Sequence, residues 1–140
     1  MEKKTLVLDA SVVVKWYCEE KDSDKALEIR ERYRRHQVNI IVPNLLFYEV
    51  INAIRFNLEI TEETKKRIAK NVLEIGFDTV IPSRNQYVEA LNFALKEDLT
   101  IYDSIYYVIA KDADAVYVTA DKNFWSKTEN RAIVLLGKWN

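Results

Sequence analysis

Four carboxylates stand where short apolar runs give way to helix-forming segments, or inside one such segment. Asp9 directly follows Thr5–Leu8, Glu49 lies within Leu45–Ile51, Asp103 follows Leu99–Ile101, and Asp121 comes two residues after Ala115–Thr119. Gathered in one cleft, these acids would repel one another and raise one another's pKa values. A hard divalent cation removes that conflict: Mg²⁺ takes oxygen ligands, keeps several waters, and is held by few carboxylates plus substrate phosphates. Such an ion activates water and stabilises the leaving oxygen of a phosphodiester. Few other chemistries compete. His36 and Cys18 are the sole histidine and cysteine. They exclude a thiolate–imidazole zinc site and a histidine-pair ribonuclease, and a Ser-His-Asp triad would have to use His36, beside the Arg-rich stretch Arg30–Arg35. Two glycines, Gly76 and Gly137, are too few for a dinucleotide fingerprint or a P-loop.

Each acid also has a purely structural reading. Asp is a preferred helix N-cap, and capping accounts for Asp103 and Asp121 taken singly. For Asp9, Ser11 is the better-placed cap. Glu49 falls on one helical arc with Asn44, Asn52 and Arg55, which is either an ordinary polar face or a face that closes over the strand ends opposite Asp9.

The elements that must position these residues follow one another with short breaks. Thr5–Leu8, Ile40–Val42, Phe77–Ile81, Ala115–Thr119 and Ala132–Leu136 read as strands. Helices are expected from Ser11 through Cys18, from Ser23 or Asp24 to about His36, from Pro43 through Leu58, from Thr61 to about Ile75 with Gly76 as the stop, from Ser83 through Glu97, from Asp103 onward, and briefly from Asp121. In the Ser83 helix, Tyr87, Leu91, Ala94 and Leu95 share the expected apolar face. Five strands alternating with helices imply an α/β fold, a three-layer α/β/α arrangement around a mostly parallel five-stranded sheet, in one domain spanning 1–140. Ligands then bind beyond the carboxyl ends of the strands.

The chain has 140 residues, 49% hydrophobic and 31% charged, with 21 Lys+Arg against 22 Asp+Glu. It is long enough for a core without staples. A net charge of −1 argues against a purely electrostatic nucleic-acid coat protein, and a lone cysteine fits a reducing cytoplasm. Lys3 and Lys4 before an apolar stretch imitate a signal peptide, but Asp9, Lys15 and Glu19–Glu20 interrupt the pattern, so the segment reads as folded domain without a membrane span.

Leu6-Val7-Leu8-Asp9-Ala10-Ser11, the Pro43 segment with Glu49 and Asn52, Tyr102-Asp103-Ser104-Ile105-Tyr106, and Val118-Thr119-Ala120-Asp121 followed by Phe124 together resemble the PIN-domain family. Their order and spacing look like the VapC-type toxins of toxin–antitoxin pairs. The resemblance covers nearly the whole chain, though 61–81 carries no motif. It implies an endoribonuclease using Mg²⁺ or Mn²⁺, a homodimer, and inhibition by a small VapB-like antitoxin. It carries the acidic residues over to Asp9, Glu49, Asp103 and Asp121 as metal ligands and catalytic groups. Ser11 and Thr119 match hydroxyl positions near the metal, and Asn52 a polar neighbour.

Lys15 and Lys122 follow Asp9 and Asp121 closely enough to contact phosphates. Tyr102, Tyr106 and Tyr107 suit base stacking or, more simply, core or dimer packing. Arg30, Arg32, Arg34 and Arg35 are interspersed with Glu28 and Glu31 and read as a solvated helix face. Three alternatives remain beside the toxin: an RNA-processing PIN nuclease without an antitoxin, a PIN-like binding protein without catalysis, and a phosphoacceptor module of doubly wound type. The last wants its acceptor Asp after the central strand, where Ile40–Val42 is followed by Pro43-Asn44. A neighbouring short antitoxin gene separates the toxin from the processing enzyme.

Overall fold

In the computed structural model, which describes residues 3–128 and 131–140, five strands form one sheet in the order β3-β2-β1-β4-β5, and every neighbouring pair is parallel. The strands are β1 (Lys4–Leu8), β2 (Val38–Pro43), β3 (Asp78–Val80), β4 (Val116–Thr119) and β5 (Ile133–Leu135). The helices are α1 (Ala10–Val13), α2 (Ser23–Arg34), α3 (Leu45–Arg55), α4 (Glu62–Glu74), α5 (Arg84–Glu97), α6 (Ile101–Asp112) and α7 (Lys122–Lys127). Short 3₁₀ turns follow α1 and β5. Right-handed crossovers put α1–α4 on one face of the sheet and α5–α7 on the other. Leu6, Val7 and Leu8 are accordingly all fully buried, as a central strand covered on both faces requires.

The strand order reverses at β1, which pairs with β2 on one side and β4 on the other. That reversal opens a crevice beyond the carboxyl ends of β1 and β4.

Local chemistry explains most element ends. Thr61 caps α4 by accepting from the Thr64 amide at 3.2 Å, and Gly76 takes a φ of 86° after the helix, open to glycine without strain. Ser83 and Gln86 form a full capping box on α5. Glu31 and Arg35 pair at 3.1 Å as their spacing implies.

Four expectations need correction. Pro43 does not open a helix; it ends β2 in register with Val80, where the missing N–H costs no ladder bond and the Asn44 amide bonds Val80 instead. Helix α3 stops at Arg55 rather than Leu58, because the Asn57 side chain accepts from the Glu59 amide at 2.8 Å and turns the chain. Neither Ser23 nor Asp24 caps α2: Asp22 occupies the cap position at a φ of 64°, and the Ser23 hydroxyl accepts from the Glu20 amide. The expected apolar face of α5 is largely on the surface. Ala90, Phe93 and Ala94 are buried, whereas Tyr87, Leu91 and Leu95 are exposed.

Candidate active site

Asp9 follows β1 at the crevice. Its backbone is extended and its side chain caps α1, so the carboxylate is fixed by the turn from strand to helix. It is 5% exposed. Oδ1 accepts from the Ser11 amide at 3.1 Å and from the Ser11 hydroxyl. Oδ2 accepts from Tyr117 Oη at 2.8 Å and Thr119 Oγ1 at 2.6 Å. Burial pushes its pKa up, the hydroxyl donors oppose that rise, and the Asp121 charge adds to it. Asp9 rather than Ser11 is thus the cap. Ser11 faces the other way in the network, its Oγ accepting from the Ala120 amide at 2.9 Å.

Asp121 lies across from Asp9 because β4 runs beside β1. Its side chain caps α7, accepting from the Phe124 amide at 3.0 Å, while its own amide donates to Thr119 Oγ1 at 3.1 Å. Thr119, fully buried, therefore links the two acids.

Asp103 sits in the first turn of α6. The cap is Thr100, whose hydroxyl accepts from the Asp103 amide at 3.1 Å, which leaves the Asp103 carboxylate clear of capping duty. Burial, then the charges of Asp9 and Asp121, push it up to about 6. Glu49, midway along α3, is held by Tyr106 Oη at 2.6 Å. Burial raises its pKa, the Tyr106 bond lowers it, and Asp9 and Asp103 raise it further.

All four acids thus gather at one end of the sheet: Asp121 acts on Asp9 and Asp103, and Asp9 and Asp103 act on Glu49. Among the described residues, no three His, Cys, Asp or Glu side chains stand close enough to grip one ion between them. The donor set still suits Mg²⁺ or Mn²⁺. It is all hard oxygen, the pKa values of Asp9, Glu49 and Asp103 are raised by burial and neighbouring charge, and Mg²⁺ asks for only one or two carboxylates with water completing its shell.

Two residues of the site were not singled out for it in the sequence. Tyr106 on α6 and Tyr117 on β4 are fully buried and stack with ring centroids 5.8 Å apart. One gives its hydroxyl to Glu49 and the other to Asp9. Burial and the carboxylates hold both phenols well above their usual pKa, so both remain donors. The available signal was Tyr rather than Phe in buried runs, since a buried phenol needs a partner.

The supporting residues are placed unevenly. Asn52 is exposed and lines, with Glu49, a groove of about 960 Å³ along α3 that also takes in Leu45, Phe47, Tyr48, Ile51 and Tyr102. Lys15 is paired with Glu20 at 3.4 Å. Lys122 is exposed at the start of α7. A smaller cavity of about 390 Å³ beside Asp103 and Asp121 is lined by Asn123 and Lys127.

A model of the PIN domain matches residues 6–129. No curated protein matches the sequence. Among solved structures, a protein from Pyrobaculum aerophilum is 25% identical, with a TM-score of 0.68 over 98% of this chain and 93% of that one. A toxin–antitoxin complex from Klebsiella pneumoniae contains a chain 11% identical, TM-score 0.70, covering 94% and 97%. The sarcin–ricin loop cleaving toxin VapC20 of Mycobacterium tuberculosis is 9% identical, TM-score 0.63, covering 88% and 95%. The last two likenesses are likenesses of fold.

Proposed function

The chain belongs to the PIN domain family, and from that premise we propose that it is a metal-dependent endoribonuclease, the toxin of a toxin–antitoxin pair. The observation that carries the reading is the meeting of Asp9, Glu49, Asp103 and Asp121 at the carboxyl end of the sheet, with no histidine or thiol among them. One or two of these carboxylates, with water completing the shell, would hold Mg²⁺ or Mn²⁺, which would supply an activated water and stabilise the leaving oxygen when bound. Tyr117, Thr119 and Ser11 fix both oxygens of Asp9, and Tyr106 holds Glu49 across the cleft. Lys122 and Lys127 on α7 supply positive charge for the phosphates beside Asp121.

RNA as substrate is supported by the M. tuberculosis neighbour, a sarcin–ricin loop cleaving toxin, and an antitoxin partner by the K. pneumoniae toxin–antitoxin complex. The groove along α3, apolar except for Glu49 and its polar neighbours, suits an apolar antitoxin segment that would cover the acids. The stripe Tyr87, Val88, Leu91 and Leu95, with exposures of 51–73%, suits a second copy of the chain. No described helix is long and apolar enough to cross a membrane, and the cytoplasm, where RNA is the substrate, is the proposed location.

The test is cleavage of single-stranded RNA by the purified protein in Mg²⁺, in Mn²⁺ and in excess EDTA. Cleavage that needs the ion and returns when it is restored supports the reading. Undiminished cleavage in EDTA rejects it.

A further inference from the structure

At the opposite end of the sheet from the four acids lies a cavity of about 760 Å³, within the usual size of a small-molecule site. Its walls include Lys3 just before β1, Val38 at the start of β2 and Asp78 at the start of β3. The length of β1, roughly 15 Å at strand spacing, separates it from Asp9.

The Arg-rich segment of α2 divides at this cavity. Arg32 and Arg35 are paired outward with Glu28 and Glu31. Arg30 and Arg34, one turn apart, line the cavity with Lys3 and His36, and among the described residues the one carboxylate on its wall is Asp78. Arg34 shares Glu31 at 3.1 Å. Arg30 is half-buried, and among the described residues it makes no ion pair and no side-chain hydrogen bond. A partly desolvated guanidinium without an anion is costly to hold, and its planar fork matches phosphate.

The mouth is braced. Tyr17 Oη donates to Asn71 Oδ1 at 2.6 Å and Tyr33 Oη to the Gly76 carbonyl at 3.0 Å, which ties the first two helical segments to α4 and its C-terminal turn. Their phenol rings form part of the wall. His36 is held at a φ of 58° between α2 and β2, a left-handed turn at the cavity's edge.

We propose that this cavity is a binding site for a phosphate-bearing nucleotide, with Arg30 as the central phosphate contact, Lys3, Arg34 and His36 around it, and the tyrosine rings beside the base. The nucleotide is either free or part of an RNA chain; the phosphate chemistry is the same. The site does not depend on the nuclease reading, since none of its residues belongs to the acid cluster.

The test is a titration of ¹⁵N-labelled protein in EDTA, so that no metal bridges an anion to the acids. The probes are ADP, inorganic phosphate and a short single-stranded oligoribonucleotide. The Gly76 amide and the Asn39 and Asn71 side-chain amides should shift with ADP or the oligonucleotide, and binding should weaken by about tenfold or more in Arg30→Glu. The exposed control Lys66→Glu should bind as the wild type does. Shifts with ADP point to a free nucleotide; shifts confined to the oligonucleotide point to an RNA flank. Wild-type signals unmoved by every probe at millimolar concentration, or identical binding by Arg30→Glu, overturn the proposal. The wild-type titration stands even if the variant fails to fold.

Discussion

The hydroxyl of Tyr106 donates to Glu49 Oε1 at 2.6 Å, joining α6 to α3 across 57 positions of sequence. The same ring stacks on Tyr117, whose hydroxyl holds Asp9. The acids on opposite walls of the cleft therefore share one aromatic support.

Removing only that hydroxyl should loosen Glu49 without opening a cavity. Tyr106→Phe is expected to lose about 1 kcal/mol of stability, together with a larger loss of RNA cleavage than of RNA binding. Urea denaturation and single-turnover cleavage measure the two. Full activity in Tyr106→Phe would show that Glu49 needs no positioning.

Asp9 separates two roles by substitution. Asp9→Asn keeps Oδ1 for the Ser11 amide, and the Tyr117 and Thr119 hydroxyls can rotate to accept from its NH₂. Metal-free stability is expected to hold or rise, as a buried charge is removed, while Mg²⁺ should stabilise the variant much less than the wild type. Asp9→Ala loses four hydrogen bonds, the cap among them, and should fall by more than about 1 kcal/mol. Thermal melts with and without Mg²⁺ distinguish them; an Asp9→Asn protein with an undiminished Mg²⁺ response would remove Asp9 from the metal site.

The pH dependence of the metal-free protein has a definite sign. Asp103 titrates at about 6 when folded, against about 3.9 in an unfolded chain. Between those values the folded state binds more protons, so its contribution to stability is present at low pH and is lost as pH rises from about 4 to about 6. In EDTA, urea midpoints of the wild type minus those of Asp103→Asn should fall over this range and level off above it. A difference that rises with pH would contradict the placement of Asp103 among the other acids. Metal binding should run the other way, since ligands must be deprotonated.

The exposed stripe of α5 makes a prediction about assembly. Leu91→Glu or Leu95→Glu should convert a dimer to a monomer in light scattering while leaving the circular dichroism spectrum unchanged. A wild-type protein that is already monomeric at micromolar concentration contradicts the dimer.

The α5 stripe also shows where sequence reasoning reaches its limit. Helical period identifies an apolar face, but both a core face and an exposed apolar face satisfy it, and α5 carries one of each: Ala90 and Phe93 inward, Leu91 and Leu95 outward. The strand-end acids were legible because a parallel sheet sends every strand's carboxyl end to one side. The hydroxyl donors around Asp9 and Glu49 were half legible. Ser11 and Thr119 lie two residues from an acid, whereas Tyr106 and Tyr117 come from runs that look like ordinary core and reach the acids only through the packing of α6 on β4. Capping and a place in the acid cluster are compatible at Asp9, whose Oδ1 caps α1 while its carboxylate lies near the Asp121 charge.

The central claim is that four carboxylates act together on RNA through a divalent ion. Single-turnover cleavage of one RNA at saturating Mn²⁺ by Asp9→Asn, Glu49→Gln, Asp103→Asn and Asp121→Asn tests it most directly. Each variant is expected to be slower than the wild type by orders of magnitude while keeping a folded spectrum; wild-type rates in these variants would contradict the claim.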